Sequence, residues 1–152
     1  MKKSLIISLL ISLGVGGFSA LVTMGSMDIY KYLDKPLFAP PSIVFPIVWT
    51  ILFILMGISS YLIYESDGDN KSKALLVYGI QLLVNFVWPI FFFVLSYRLI
   101  ALFIIITLLI FIVIMIVKFY KINKLAAYLQ ILYLLWVSFA TYLNFGFYIL
   151  NR

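Results

Sequence analysis

The sequence predicts an all-α protein, an integral membrane bundle of five transmembrane helices that forms a single domain over residues 1–152. Hydrophobic residues make up 66% of the chain and charged residues 11%, which is too few charges for a water-soluble surface. The charges also fall in short clusters that separate five long uncharged runs. A helix needs about 20 apolar residues to cross the roughly 30 Å hydrocarbon core of a bilayer, and each run is long enough.

The predicted transmembrane helices share the absence of any charged side chain, and they span residues 5–27, 43–64, 74–95, 99–117 and 125–150. Lipid offers no hydrogen-bond partners, so the backbone of each run must satisfy its own polar groups. Barrel strands would alternate polar and apolar residues, which these runs do not do. Each run is therefore predicted to be a helix, and residues 28–42 form the longest connection.

The basic residues indicate which side of the membrane each connection occupies. Five crossings place the N-terminus and the connections at 65–73 and 118–124 on one side. That side carries seven Lys or Arg residues and the other carries four: Lys2, Lys3, Lys71, Lys73, Lys118, Lys121 and Lys124 against Lys31, Lys35, Arg98 and Arg152. The excess predicts a cytoplasmic N-terminus. These residues form no stripe along one element, so the net charge of +6 is interpreted as a topology signal and we expect no nucleic-acid partner.

The residue types that are missing exclude several kinds of chemistry. The sequence has no cysteine and no histidine, which removes disulfides, the usual zinc ligands and the common axial ligands of haem. We therefore expect no metal and no cofactor. No Asp, Glu, Lys or Arg lies inside a predicted helix, and proton relays and ion-coupling sites are usually built from such residues. This argues against a pump, an ion-coupled transporter and a channel with a charged filter.

The connection at residues 28–42 differs from the other loops in its aromatic and proline content. It carries Tyr30, Tyr32 and Phe38 together with three prolines, which restrict the backbone. One interpretation is an ordered lid over the bundle. The other is an aromatic belt at the membrane surface followed by prolines that precede the next helix, and the loop sequence alone leaves both open.

The first predicted helix carries small side chains along one face. Ser4, Ser8, Ser12, Gly16 and Ala20 recur every four residues, which allows another helix to approach closely. The pattern predicts a packing surface, either inside the bundle or between protomers.

Polar and aromatic residues at membrane depth are the candidates for function. Three helices each present a tryptophan with such residues on the same face: Gln81, Asn85, Trp88 and Phe92 on the third helix, Trp136, Ala140 and Asn144 on the fifth, and Trp49, Phe53 and Met56 on the second. Taken singly, each of these residues also fits interfacial anchoring or helix packing. Trp136, however, lies roughly 20 Å from the end of its helix, which is too deep for a belt residue. Together they predict a cavity with aromatic walls for a large planar apolar ligand.

Three motif blocks then identify a resemblance that covers essentially the whole chain. They are Lys35–Pro41 leading into Val48–Leu52, Asn85–Phe92 on the third helix, and Tyr133–Asn144 on the fifth. In these blocks the chain resembles the TspO/MBR family, also called tryptophan-rich sensory proteins or peripheral benzodiazepine receptor-like translocator proteins. It departs from the family pattern at two positions. Phe38 stands where the family often has a tryptophan, and Leu132 stands where the family has a proline before the last motif.

The resemblance implies a five-helix bundle in the bilayer, commonly a homodimer, that binds porphyrins such as protoporphyrin IX and isoquinoline or benzodiazepine drugs beneath the first loop. It places the ligand contacts at Tyr30, Pro40, Phe53, Asn85, Trp88, Phe92, Ala140 and Asn144. It also implies light-dependent porphyrin breakdown, for which Trp49 and Trp136 are the candidate redox-active indoles. A proposed cholesterol motif of the family is matched loosely by Leu143, Tyr148 and Arg152.

The leading hypothesis is a porphyrin-binding protein of a bacterial cell membrane that degrades its bound porphyrin in light. Two rivals share the ligand cavity. One is a translocator of porphyrin or lipid without ion coupling, and the other is a ligand sensor or scaffold that acts through a partner protein.

Overall fold

The computed structural model describes residues 2–152, which form helices and turns without strands. The helices are α1 (Lys2–Thr23), α2 (Val44–Tyr64), α3 (Lys71–Pro89), α4 (Arg98–Ile122), α5 (Lys124–Leu129) and α6 (Ile131–Leu150). A 3-10 helix, Met24–Lys31, extends α1, and a π-helical turn, Ile90–Val94, extends α3. With α5 and α6 taken together, five helical segments of this range are long and apolar enough to cross a membrane. The predicted all-α membrane bundle is confirmed.

The first and third helices begin three residues earlier than predicted, at Lys2 and Lys71, and two C-terminal ends also differ from the predicted bounds. Residues 28–31, expected to begin the first loop, belong to the 3-10 helix instead, so the loop that follows begins at Tyr32. The fourth helix was predicted to end at 117 but continues through Lys118 and Lys121 to Ile122. A helix need not stop where its apolar run stops, because long basic side chains at its end reach the water at the membrane surface.

The fifth predicted helix, 125–150, is divided at Gln130. There the Gln130 N–H donates to the Ala127 carbonyl (3.0 Å), one residue short of the regular α-helical partner. The carbonyl of Ala126 instead accepts from the Ser59 hydroxyl on α2 at 2.7 Å. A side chain from the neighbouring helix thus satisfies a backbone group that the break would leave unpaired in a dry environment.

Helix α1 lies at the edge of the bundle and packs mainly on α2, while α4 packs against α3, α5 and α6. At the α1–α2 contact, the buried Ser12 hydroxyl donates to the Phe53 carbonyl at 2.7 Å. A Cβ added to Gly57 would lie 2.8 Å from Ser12 Oγ and 3.0 Å from Leu9 Cα. The middle of the predicted small-residue face therefore packs inside the bundle.

Candidate functional site

A cavity of about 460 Å³ lies between α1, α2 and the α3 side of the bundle, at the end that carries the 28–42 connection. We call it the aromatic cavity. Its aromatic lining consists of Phe45, Trp49 and Phe53 from α2, Trp88 from α3, and Phe93 from the π-helical turn. Because aromatic rings from two helices line the same space, a flat apolar molecule could be held between them.

The α1 side of the aromatic cavity is formed by small residues. Gly16, Ser19, Ala20 and Thr23 follow the spacing of one helical face and all line the cavity. Gly16 also fits closely, since a Cβ added there would lie 2.5 Å from Cδ2 of Phe53. The sequence pattern predicted that Gly16 and Ala20 form a helix-packing face. In the structure Gly16 does pack closely, against Phe53, and both residues also line the cavity, so the small side chains here leave room for a ligand as well.

A buried hydrogen-bond chain lies behind the cavity wall. Asn85, which lines the cavity, donates through Nδ2 to the Tyr133 hydroxyl at 2.7 Å. That hydroxyl donates to Oε1 of Gln81 at 2.6 Å. All three side chains are buried, and the amide groups of Asn85 and Gln81 find a hydrogen-bond partner within the bundle. Sequence reasoning missed Tyr133, although a tyrosine hydroxyl at membrane depth is the same signal as an asparagine there.

A Tyr133→Phe substitution is expected to lower the apparent free energy of unfolding by about 1–3 kcal/mol. The ring and its packing remain, but the Asn85 N–H loses its acceptor and the Gln81 carbonyl loses its donor. Thermal unfolding in detergent measures the change. Tyr128→Phe is the matched control, because Tyr128 is 58% exposed on the neighbouring α5. An equal melting temperature for both variants would contradict the importance of this chain.

A second, inner cavity of about 10 Å³ contacts five of the predicted ligand-binding residues. They are Tyr30, Trp88, Phe92, Ala140 and Asn144. Two of them bond to each other, because the Trp88 Nε1–H donates to Asn144 Oδ1 at 2.8 Å. The space is nearly filled by packed rings, with the centroids of Trp88 and Phe92 5.3 Å apart. This inner cavity has no room for a ligand as it stands.

Phe45, Trp88 and Phe93 line both cavities and thus separate them. The predicted contacts Phe53, Asn85 and Trp88 line the aromatic cavity, as does Trp49, which was predicted to be redox-active. Trp136 lines neither. Its ring meets Phe45 edge-on at a centroid distance of 5.9 Å, and its indole N–H is buried without a partner among residues 2–152. Trp136 is therefore one aromatic ring removed from the aromatic cavity.

The loop between the 3-10 helix and α2 is bound to α6 by specific contacts. Asp34 and Asn151 exchange two hydrogen bonds of 2.9 Å, from the Asp34 N–H to Asn151 Oδ1 and from Asn151 Nδ2 to the Asp34 carbonyl. The Tyr142 hydroxyl donates to the Leu37 carbonyl at 2.6 Å. A Cβ at Gly146 would lie 2.5 Å from Cβ of Pro36, so this glycine allows the loop to contact the helix.

Two other residues of the loop have distinct positions. The carbonyl of Pro40 accepts a hydrogen bond from the Tyr30 hydroxyl, so the predicted contact Pro40 binds the 3-10 helix and does not line either cavity. Phe38 has a left-handed backbone, with φ of 68°, and its ring is 77% exposed. A non-glycine residue in this region costs roughly 1–2 kcal/mol, which the contacts between the loop and α6 offset.

The three residues of the proposed cholesterol motif lie on two different surfaces. Leu143 is buried against the inner cavity. Tyr148 and Arg152 line a separate recess beside Arg98, at the outer surface of α4 and α6. The structure therefore brings Tyr148 and Arg152 together and leaves Leu143 apart from them.

These features define a class of protein, a multi-pass integral membrane protein with an aromatic-walled cavity between its helices. The sequence model of the TspO/MBR family matches residues 7–150, and the chain belongs to the TspO/MBR family. It is 38% identical to tryptophan-rich protein TspO of Archaeoglobus fulgidus over 97% of this chain and 96% of that protein. It is also 38% identical to tryptophan-rich protein TspO of Chlorobaculum tepidum, covering 97% and 94% of the two chains. The human translocator protein is 34% identical over 76% of this chain and 70% of its own. The predicted family is confirmed.

Proposed function

We propose that this protein binds protoporphyrin IX, or a similar planar apolar tetrapyrrole, in the aromatic cavity and that light drives oxidation of the bound porphyrin. The observation that carries the proposal is the cavity itself, about 460 Å³ lined by Trp49, Phe53 and Trp88. Its volume lies within the roughly 300–1,000 Å³ of small-molecule sites, and aromatic walls favour a flat apolar ligand. Isoquinoline and benzodiazepine drugs also present apolar aromatic rings to such walls.

One basic residue at the cavity mouth, Lys31, suits the acidic side chains of such a porphyrin, and Asp28 lines the mouth beside it. Lys31 lines the cavity and forms an ion pair with Asp28 at 3.8 Å, with both side chains largely exposed. An exposed pair of this kind contributes little, so Lys31 is free to exchange its partner for a ligand carboxylate. The ring system would then lie among the apolar groups and its carboxylates at the water.

The proposed photochemistry begins with Trp49, because indole is the most readily oxidised aromatic side chain in the chain and Trp49 lines the cavity. Trp88 also lines it, but its indole N–H is bonded to Asn144 in the packed inner cavity. The excited porphyrin takes one electron from the Trp49 indole and passes it to dioxygen, which becomes superoxide. The indole radical cation then takes one electron from the porphyrin and returns to tryptophan. The porphyrin radical cation and superoxide combine by forming a carbon–oxygen bond, so dioxygen is the net oxidant.

We further propose that Trp136 exchanges electrons with Trp49, since each indole packs against an aromatic ring of the bundle, Phe45 for Trp136 and Tyr133 for Trp49. The centroid of Trp136 is 5.9 Å from that of Phe45, and the centroid of Trp49 is 6.3 Å from that of Tyr133. In this proposal Trp49 reacts directly with the porphyrin. Trp136 has a smaller, supporting part.

We also propose that the 28–42 segment covers the site as a lid and that the N-terminus faces the cytoplasm of a bacterial cell. The lid is supported by the contacts of Pro36 and Leu37 with α6, which keep the loop ordered. The orientation is supported by the seven-to-four excess of basic residues on the N-terminal side. The expected homodimer remains a prediction.

A translocator is the second candidate, because relatives bear that name, the human translocator protein among them. It would use the same cavity but requires the ligand to leave on the opposite side of the membrane. Flux of porphyrin into proteoliposomes in the dark, without an ion gradient, distinguishes it from the photochemical function.

The ligand site can be tested with a side chain that fills the aromatic cavity. Ala20 is exposed and lines the cavity, so Ala20→Trp adds a large ring there without entering the packed core. We expect porphyrin affinity in the dark to fall by about tenfold, which corresponds to roughly 1.4 kcal/mol. The absorption spectrum of the porphyrin during titration with purified protein gives the affinity.

The matched control is Leu21→Trp, at the adjacent position on α1, which is 67% exposed and does not line the cavity. Its affinity should equal that of the unmodified protein. Equal affinity in Ala20→Trp and Leu21→Trp would place the ligand elsewhere, and no spectral change with the unmodified protein would reject porphyrin binding.

A further inference from the structure

A recess of about 370 Å³ lies apart from both cavities, where α4 begins and α6 ends. We call it the arginine recess. It is lined by Arg98 and Arg152 together with Tyr97 and Tyr148, and no acidic side chain is among its lining residues. The Asn151 side chain, also in its lining, bonds to Asp34 of the loop, so the recess is at the same end of the bundle as the 28–42 segment.

Neither arginine of the recess has an acidic side chain as its partner within the described part of the chain. Among residues 2–152 the salt bridge is Lys31–Asp28, and neither Arg98 nor Arg152 forms one with a carboxylate. Nε of Arg98 is buried and has no hydrogen-bond partner in the same range. The Arg98 guanidinium carbon lies 5.8 Å from the centroid of Phe92, so the group is held against the bundle. The unpartnered Nε–H leaves Arg98 able to donate to an anionic group that enters the recess.

The remaining residues of the recess favour a lipid over a free ion. Leu99 and Ile100 line it beside the arginines and are 42% and 47% exposed. They belong to the first turn of the α4 crossing, where the surface passes from polar to apolar toward the membrane. A phosphate ion would make no use of these side chains, whereas a phospholipid would place its acyl chain along them and its phosphate at the arginines.

We propose that the arginine recess is a binding site for an anionic phospholipid of the leaflet on the loop side of the bundle. Arg98 and Arg152 bind the lipid phosphate, and Leu99 and Ile100 contact the upper part of an acyl chain. This site is independent of the aromatic cavity and of any porphyrin.

Native mass spectrometry of the purified protein tests the proposal. The protein is equilibrated with equal amounts of phosphatidylglycerol and phosphatidylcholine of matched acyl chains, and the retained lipids are compared. We expect preferential retention of phosphatidylglycerol, and a roughly tenfold loss of that preference in Arg98→Gln/Arg152→Gln. Arg152 lies beyond the last residue of α6, so the single variant Arg152→Gln leaves the helices intact. It should lose a smaller part of the preference for phosphatidylglycerol.

Lys118→Gln/Lys121→Gln is the matched control, because it removes the same charge from the opposite end of α4. Its preference should equal that of the unmodified protein. An equal loss in this control, or no preference for phosphatidylglycerol in the unmodified protein, would overturn the proposal. Displacement of the lipid by excess inorganic phosphate at constant ionic strength would also overturn it, in favour of a free-phosphate site.

Discussion

Replacing Trp49 by phenylalanine is expected to lower the rate of light-dependent degradation per bound porphyrin by at least about tenfold, or roughly 1.4 kcal/mol in activation free energy. The phenyl ring preserves an aromatic wall but is far harder to oxidise than indole. Affinity in the dark should also fall, by about 1–2 kcal/mol through lost contact area, so the degradation rate is compared per bound porphyrin. Porphyrin loss under illumination and binding in the dark are measured separately, at saturating protein so that occupancy is matched.

The matched variant for this experiment is Trp88→Phe, since Trp88 lines the same cavity and its N–H is bonded to Asn144. Trp88→Phe tests whether the loss of any indole from the cavity wall lowers the degradation rate per bound porphyrin. The rate should fall less in Trp136→Phe than in Trp49→Phe and more than in Trp88→Phe, because Trp136 is separated from the cavity by Phe45. Unchanged degradation per bound porphyrin in Trp49→Phe would exclude its redox role and favour a binder or carrier. A loss in proportion to affinity would indicate packing alone.

The helices were predictable because membrane crossing imposes a length and a composition that the sequence displays directly. The end of α4 could not be predicted in this way. The prediction ended the helix before its first charged residue, Lys118, whereas the helix continues past Lys118. The break at Gln130 depends on a partner from another helix, Ser59, which no local pattern reveals.

The cavity was only partly predictable for a related reason. Trp49 and Asn85 stand out in an apolar helix, and both line the aromatic cavity. Ser19 and Thr23 on α1 line it equally, but small side chains carry no chemical signal that separates a ligand wall from a helix contact. The position of Trp136 behind Phe45 is set by how α2 and α6 pack, which spacing within one helix cannot give.

The contact between α1 and α2 gives the last prediction, that Gly57→Leu lowers the apparent free energy of unfolding by about 3 kcal/mol. Even a Cβ at Gly57 would lie 2.8 Å from Cδ2 of Leu9 and 3.0 Å from its Cα, which belongs to the backbone and cannot rotate away. The two helices must separate, and the hydrogen bond from Ser12 to the Phe53 carbonyl is lost with the contact. Because α1 lines the aromatic cavity, porphyrin affinity should fall as well.

Thermal unfolding in detergent measures this effect, with an expected fall in melting temperature of about 10 °C. Gly79→Leu is the matched control, because Gly79 also lies within a transmembrane helix but a Cβ there has no neighbouring atom within 4 Å. Its melting temperature should stay close to that of the unmodified protein. That result would show that replacing glycine by leucine in a transmembrane helix does not by itself lower the melting temperature. Gly57→Ala should give an intermediate fall. Equal melting temperatures for Gly57→Leu and Gly79→Leu would mean that α1 can move away from α2 at no cost, and the close approach at Ser12 would then contribute nothing to the stability of the bundle.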